Sequence, residues 1–375
     1  MLSSVAKFQK FGVNLLSILP VRSEIKLGMN TATLFATLPA PAPQKMDVFS
    51  LREAVAVWDR DCAFPYPKDI PPTDFTEEIL AGVPVSAYRS PIRDSLMPTV
   101  LFVHGGGFFC ELANVHRSLM ANIADHIPCC GVLPHYSLAP EKKLPDAIKE
   151  ITDVLHSLLS TPEAFGVTKN LVVIGYSSGG NLAWNAILNL LNSEATKPLV
   201  SNVSQLILMS PWVDISMQTT KEGPYQSEQD ADKMLQTWGL EQMRDWTLPE
   251  GADGTEPCYS PIYRSADEMK GMPNTVVIVG EGDRLLTDAV ATVRVLNNLE
   301  CEASSSTKLV VLEGQTHNHS AHVGLRDGIF TPDLIAAIIR GESPLALEKS
   351  SDGLGVLLLD PTAASCCVEV PGLSL

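Results

Sequence analysis

Short, uninterrupted apolar runs recur along this chain at residues 99–103, 131–135, 171–174, 205–209, 275–279 and 309–312. Runs of four or five residues without polar alternation predict strands buried on both faces, as in a parallel sheet. Between them lie stretches with helical periodicity, clearest at 144–159 and 181–191. Strand alternating with helix predicts a doubly wound α/β domain. Two segments break the rhythm. Residues 1–60 precede the first run, and residues 213–256 separate two strands and are rich in Trp, Met and Gln. Together they predict a helical cap over the carboxyl ends of the strands, where open α/β sheets place their sites. Within the first segment, Ser50 is expected to cap a helix that continues through Leu51, Val55, Ala56 and Val57. The expected organisation is an N-terminal extension with cap helices at 1–60, an α/β domain at 61–343 with the insertion at about 213–256, and a patternless C-terminal tail at 344–375.

The N-terminus carries Lys7 and Lys10 before an apolar stretch at 11–21. A bilayer span takes about 20 apolar residues, so this stretch is too short. A cap helix is the reading adopted for it. A secretory signal and a peripheral membrane contact through the N-terminus stay open as alternatives. Apolar residues make up 45% of the 375, enough for a large buried core. The formal net charge is −16, which excludes a phosphate-neutralising surface and so a nucleic-acid partner. The eight cysteines form no C-x-x-C pair. They read as free thiols in a reducing compartment, so a cytoplasmic location is expected, and neither a metal nor a cofactor is. Oligomeric state is not legible.

Chemistry enters with Gly175-Tyr176-Ser177-Ser178-Gly179. This G-x-S-x-G sequence follows one apolar run directly and precedes a helix, the setting a nucleophile elbow requires. His104-Gly105-Gly106-Gly107 follows another run. Its glycines let N–H groups face a developing oxyanion, and the amides of Gly106, Gly107 and Ser178 are the expected donors. His104 is expected to order the loop. Serine acyl transfer also needs a base and a carboxylate to orient it, in the chain order Ser, acid, His. Asp283 follows the run at 275–279 and His317 follows the run at 309–312. Glu281 is the alternative acid. Asp288 reads as a solvated helix residue or a support for its loop. His319 and His322 are expected to be supporting or solvated. Phe108, Phe109, Trp212 and Trp238 are candidates for a substrate pocket or for ordinary core.

These residues resemble the hormone-sensitive-lipase family of α/β-hydrolases, which includes bacterial esterases, arylacetamide-deacetylase-like enzymes and plant carboxylesterases. The likeness spans roughly residues 50–325. It rests on His104 to Phe108, Tyr136-Ser-Leu-Ala-Pro-Glu141 followed by Pro145, Gly175 to Leu182, Ser260-Pro261, Asp283 and His317. The resemblance implies an α/β-hydrolase fold, a mostly parallel central sheet flanked by helices with a helical cap. It also implies cofactor-independent hydrolysis of a small-molecule ester with a short or medium acyl chain. The sequence departs from the family pattern at four places. Ser137 stands where the family has Arg, and Tyr176-Ser177-Ser178-Gly179 where it has Asp-Ser-Ala-Gly. Arg284-Leu285 replaces Pro-Leu, and Asn318-His319 replaces Gly-Phe. Acyl transfer and amide hydrolysis use the same triad. A small-ligand receptor on the same fold is a further alternative, which the presence of His317 opposes.

Overall fold

The computed structural model describes residues 44–61, 66–92, 97–161, 170–222, 232, 235–297, 307–312, 315–317, 326–342 and 356–359. The strands are β1 (Phe75–Leu80), β2 (Val83–Arg89), β3 (Thr99–Val103), β4 (Cys130–Pro134), β5 (Leu171–Tyr176), β6 (Val203–Met209), β7 (Thr275–Gly280), β8 (Thr307–Leu312) and β9 (Val356–Leu359). Among the described residues they form one sheet in the order β1-β2-β4-β3-β5-β6-β7-β8-β9. From β4 to β8 every pairing is parallel, while β2 and β9 run antiparallel to their neighbours. The helices are α1 (Val48–Asp61), α2 (Asn114–His126), α3 (Leu144–Ser160), α4 (Ser178–Leu191), α5 (Gln218–Glu222), α6 (Thr237–Thr247), α7 (Leu286–Asn297) and α8 (Arg326–Ile339).

The central strands are continuously apolar because both of their faces are covered. Leu101, Val103, Val173, Leu208, Val279 and Val311 belong to one core cluster, filled from the other side by α3, α4 and α7. Val100, Phe102, Ile174, Met209, Ile278 and Leu312 belong to a second, closed by α2 and α8. Successive residues of a strand point to opposite faces, so each run supplies both layers. Helix α3 shows the matching helical logic. Its buried residues Leu144, Ala147, Ile148, Ile151, Val154, Leu155 and Leu158 form one stripe at three- and four-residue spacing. Burying a Leu, Ile or Val side chain stabilises a fold by roughly 1.5–3 kcal/mol, so these two layers hold the sheet flat against its helices.

Three expectations are corrected. The hairpin β1–β2 extends the sheet before the first apolar run; it was not expected, since β1 buries little beyond Leu80. The tail expected to be patternless supplies β9, which pairs with β8. Helix α1 begins three residues before the expected start. Asp47, not Ser50, is its capping residue: the Asp47 carboxylate accepts the N–H of Ser50 at 3.0 Å and its hydroxyl at 2.5 Å.

Helices α1 and α6 meet over the loop after β3. Met46, Val48 and Leu51 pack against Phe109 and Cys110, with Trp238, Met243 and Trp246 alongside. Gln242 in α6 accepts the N–H of Met46 at 2.7 Å and donates to the carbonyl of Gln44 at 2.8 Å. Arg52 donates to the carbonyls of Phe109 and Ala139 and pairs with Glu141. Residues from the N-terminal segment are thereby tied to the insertion near 240 and to the glycine-rich loop after β3.

Candidate active site

Ser177 sits between β5 and α4 in a backbone conformation rare for a side-chain-bearing residue, φ 53° and ψ −121°. Its N–H donates to Met209 O at 2.8 Å, and its carbonyl accepts the N–H groups of Gly180 and Trp212. This turn is too tight for larger neighbours. A Cβ on Gly179 would fall 2.2 Å from Val103 O and 2.4 Å from His104 O. Both obstacles are backbone, so they cannot swing aside. The G-x-S-x-G spacing is therefore a packing requirement, with the strain held by β5, β6 and the loop after β3.

His317 and Asp283 arrive from the loops after β8 and β7. Ser177 Oγ lies 3.0 Å from His317 Nε2 and can donate its hydroxyl proton there. His317 Nδ1 donates to both Asp283 carboxylate oxygens at 3.1 Å. The trio is buried: Ser177 is 7% exposed, His317 2% and Asp283 0%. Asp283 is itself held by the N–H of Leu285 on Oδ1 at 2.8 Å. Burial pushes the Asp283 carboxyl up, but the attraction and hydrogen bond of His317 outweigh it and leave it below the usual range. Burial likewise pushes the His317 imidazole down, and the charge of Asp283, its hydrogen bond and the charge of Asp232 reverse that to a net rise.

The loop after β3 turns through three residues of positive φ: Gly106 at 114°, Gly107 at 60° and Phe108 at 65°. A Cβ on Gly107 would come 2.7 Å from Met243 Sδ, so α6 lies directly over this loop. Ser178 opens α4, where first-turn N–H groups have no intrahelical partner. Its hydroxyl accepts the N–H of Phe108 at 3.3 Å, joining the two loops. His104 is buried, stacks on Tyr136 with centroids 4.2 Å apart, and donates from Nδ1 to Gly105 O at 2.7 Å. Burial, with His116 close by, holds it well below the ordinary imidazole range. It is a neutral brace for the loop, as expected.

The remaining expected residues divide. Phe108 and Trp212 pack in the main core with centroids 5.4 Å apart, and Trp212 N reaches Ser177 O at 3.1 Å. Phe109 stacks edge-on against Trp246, and Trp238 joins the same cluster. Asp288 is not a solvated helix residue: it is fully buried and accepts the N–H groups of Val213 and Asp214, each at 2.9 Å. The other half of that expectation, support for a loop, is what it does. Ser137, where the family has Arg, gives its N–H and hydroxyl to Glu150, each at 2.6 Å. His319 and His322 lie outside the described residues, as do residues 1–43. No helix among the described residues is long and apolar enough to cross a membrane. Cys110, Cys129, Cys130 and Cys258 are free, and burial pushes the Cys110 thiol up to about 12. Sequence reasoning missed Asp232, whose carboxylate accepts the N–H of His317 at 2.5 Å. It stands in a polar run, Gln-Ser-Glu-Gln-Asp-Ala-Asp, that carries no signal of burial.

The comparisons with known proteins agree with this geometry. A family model described as alpha/beta hydrolase fold matches residues 100–320. An esterase of Acinetobacter venetianus is 30% identical over 257 residues, covering 68% of this chain and 78% of that protein. An ethyl acetate hydrolase of Pseudomonas putida is 27% identical, covering 63% and 71%. A 3-O-acetylpapaveroxine carboxylesterase of Papaver somniferum is 27% identical, covering 54% and 68%. Among solved structures, an esterase of the bacterial hormone-sensitive lipase family superposes with a TM-score of 0.66 at 22% identity, covering 80% of this chain and 93% of that one. The Pyrobaculum calidifontis esterase gives 0.66 at 22%, covering 86% and 97%. These structural matches speak to the fold.

Proposed function

Because this chain belongs to the α/β-hydrolase family of hormone-sensitive-lipase-like esterases, as a divergent member, we propose that Ser177, His317 and Asp283 make it a hydrolase of small carboxylic esters. One observation carries the reading: the unbroken relay from Ser177 Oγ through the His317 ring to Asp283, at 3.0 and 3.1 Å. His317 Nε2 takes the Ser177 proton as Oγ attacks the ester carbonyl carbon. The tetrahedral intermediate collapses when imidazolium returns that proton to the leaving alcohol, which departs and leaves an acyl-serine. Water then attacks the acyl-serine, losing a proton to the same nitrogen. The acid leaves, and Ser177 recovers its proton. Asp283 fixes the ring tautomer and offsets the imidazolium charge.

The amides of Gly106, Gly107 and Ser178 are the proposed oxyanion donors, and a donor of this kind stabilises a transition state by about 3 kcal/mol. Supporting this, Gly106 and Gly107 have the positive φ that a glycine turn permits, and Ser178 stands at a helix start. Helices α1, α5 and α6 are the proposed cap, within the organisation of 1–60, 61–343 with its insertion at 213–256, and a tail at 344–375. Phe108, Phe109, Trp212 and Trp238 form the proposed apolar wall. The closeness of Met243 to Gly107 narrows the approach to the serine and favours short or medium acyl chains. A p-nitrophenyl ester series from acetate to palmitate tests both points. The wild type should turn over acetate to octanoate faster than palmitate, and folded Ser177→Ala should lose at least about 10⁴-fold. Undiminished turnover by that variant would remove Ser177 from the mechanism.

A further inference from the structure

The triad base touches a second carboxylate. Asp232 and Asp283 each offer an oxygen to His317, and the three ligating atoms lie within 4.8 Å of one another. Asp232 is 1% exposed and comes from the insertion, just before α6. It accepts the main-chain N–H of His317 at 2.5 Å, whereas Asp283 accepts from the ring. Such spacing would suit a metal ion, but both imidazole nitrogens are engaged, one on Ser177 and one on Asp283. The cluster is an electrostatic brace around a proton acceptor.

We propose that Asp232 is a positioning residue for the base: Asp232, with residues 235–237 of the same insertion, clamps His317 and sets a second negative charge beside the imidazolium that forms during catalysis. The inference rests on the esterase reading of Ser177. It draws on a second, independent tie between the same segment and the triad. Arg284, next to Asp283, donates from Nε to Leu235 O at 3.1 Å and from Nη1 to Thr237 Oγ1 at 3.2 Å. Within the segment, Gln236 Nε2 donates to Asp232 O at 2.6 Å, so the clamp is braced against itself. The segment therefore holds both the base and the neighbour of the acid. Among the described residues, the charged groups acting on His317 are Asp283 from the loop after β7 and Asp232 from the insertion. A buried charge this close acts through protein rather than water, so it weighs on the ring far more than a surface charge would.

The test uses the full chain with Asp232→Asn and Asp232→Glu. Asn keeps an acceptor for the His317 N–H and drops the charge, while Glu keeps the charge. We expect Asp232→Asn to move the acid limb of kcat/KM down by about one pH unit and to lower kcat roughly tenfold, with Asp232→Glu keeping the wild-type limb. The His317 ring titration, followed by NMR with His317→Asn for assignment, should move in the same direction. That reading needs no turnover, so it separates failure of this inference from failure of the esterase assignment, which Ser177→Ala tests by itself. The inference is overturned if Asp232→Asn leaves both the limb and the ring titration in place. It is overturned equally if both variants lose activity alike with no shift, since that marks a packing role. If Asp232→Asn does not fold, a shift in Asp232→Glu as large as one unit would overturn it, and an unmoved limb would support it.

Discussion

Replacing Asp288 by Asn should alter how stability depends on pH. Asp288 and Asp214 are both fully buried and share Thr219, whose hydroxyl lies 2.5 Å from Asp288 and 3.1 Å from Asp214. Burial, followed by the charge of Asp214, pushes Asp288 from 3.8 up to about 7. A folded value above the unfolded one means that the native state keeps a proton the unfolded chain releases. The resulting stabilisation is complete below about pH 3.8 and is lost as pH rises through about 7. The difference of roughly 3 units corresponds to a ceiling of about 4 kcal/mol, of which about 3 kcal/mol falls between pH 5 and 7. Asn is neutral throughout. Its carbonyl can still accept from Val213 and Asp214, and its amide can donate to the Thr219 hydroxyl. Urea unfolding at pH 5 and pH 8 on both proteins provides the assay. His317 and the other titrating groups away from the Asp288–Asp214 pair are common to both, so they cancel in the difference. The stability of the variant relative to the wild type should rise by about 3 kcal/mol from pH 5 to pH 8, because only the wild type loses a native-state proton over that range. Parallel stability profiles would refute the reasoning, because they would show that Asp288 carries no proton the unfolded chain lacks.

Asp283→Asn should leave the fold intact and lower kcat by about 10⁴-fold, because the ring loses the partner that sets its tautomer; a pH-rate profile with a folded-state check measures it. In the wild type, the raised His317 value places the acid limb of kcat/KM above the ordinary imidazole value of about 6.5, and activity falls as pH drops through it. Gly179→Ala should displace the loop after β3, since its new methyl meets two backbone oxygens, and should cost about 2 kcal/mol or more of stability. Thermal melts and the rate of labelling by a fluorophosphonate probe would show it, and wild-type behaviour in both would disprove the steric account.

The buried strands were legible because a strand covered on both faces has no polar positions to blur it. The triad was legible because its members follow strands in a fixed chain order. The hairpin β1–β2 was not, since Thr76, Glu77 and Glu78 give β1 a solvated face and almost no core signature. Strand β9 is four residues long and relies on β8 for its pairing. Asp232 and Asp288 were misread or missed for a single reason. An acidic residue in a polar stretch or on a helix reads as solvated, and only the fold reveals that backbone N–H groups converge on it. Asp47 displaced Ser50 as the helix cap because both are good capping residues and the choice depends on where the chain enters.

The staple between Met46 and Gln242 joins residues 196 positions apart. During synthesis the N-terminal segment leaves the ribosome first, yet its partner in α6 does not exist until nearly two hundred further residues have been added. At about 5–20 residues per second, that interval is on the order of 10–40 seconds. Throughout it, Met46, Val48 and Leu51 lack the Trp238 and Met243 side chains they pack against in the finished protein. Helix α1 is thus early in translation and late in docking. A slowed elongation rate, or a fusion that delays release of the insertion, lengthens the time for which this apolar edge is open to chaperones and to other nascent chains.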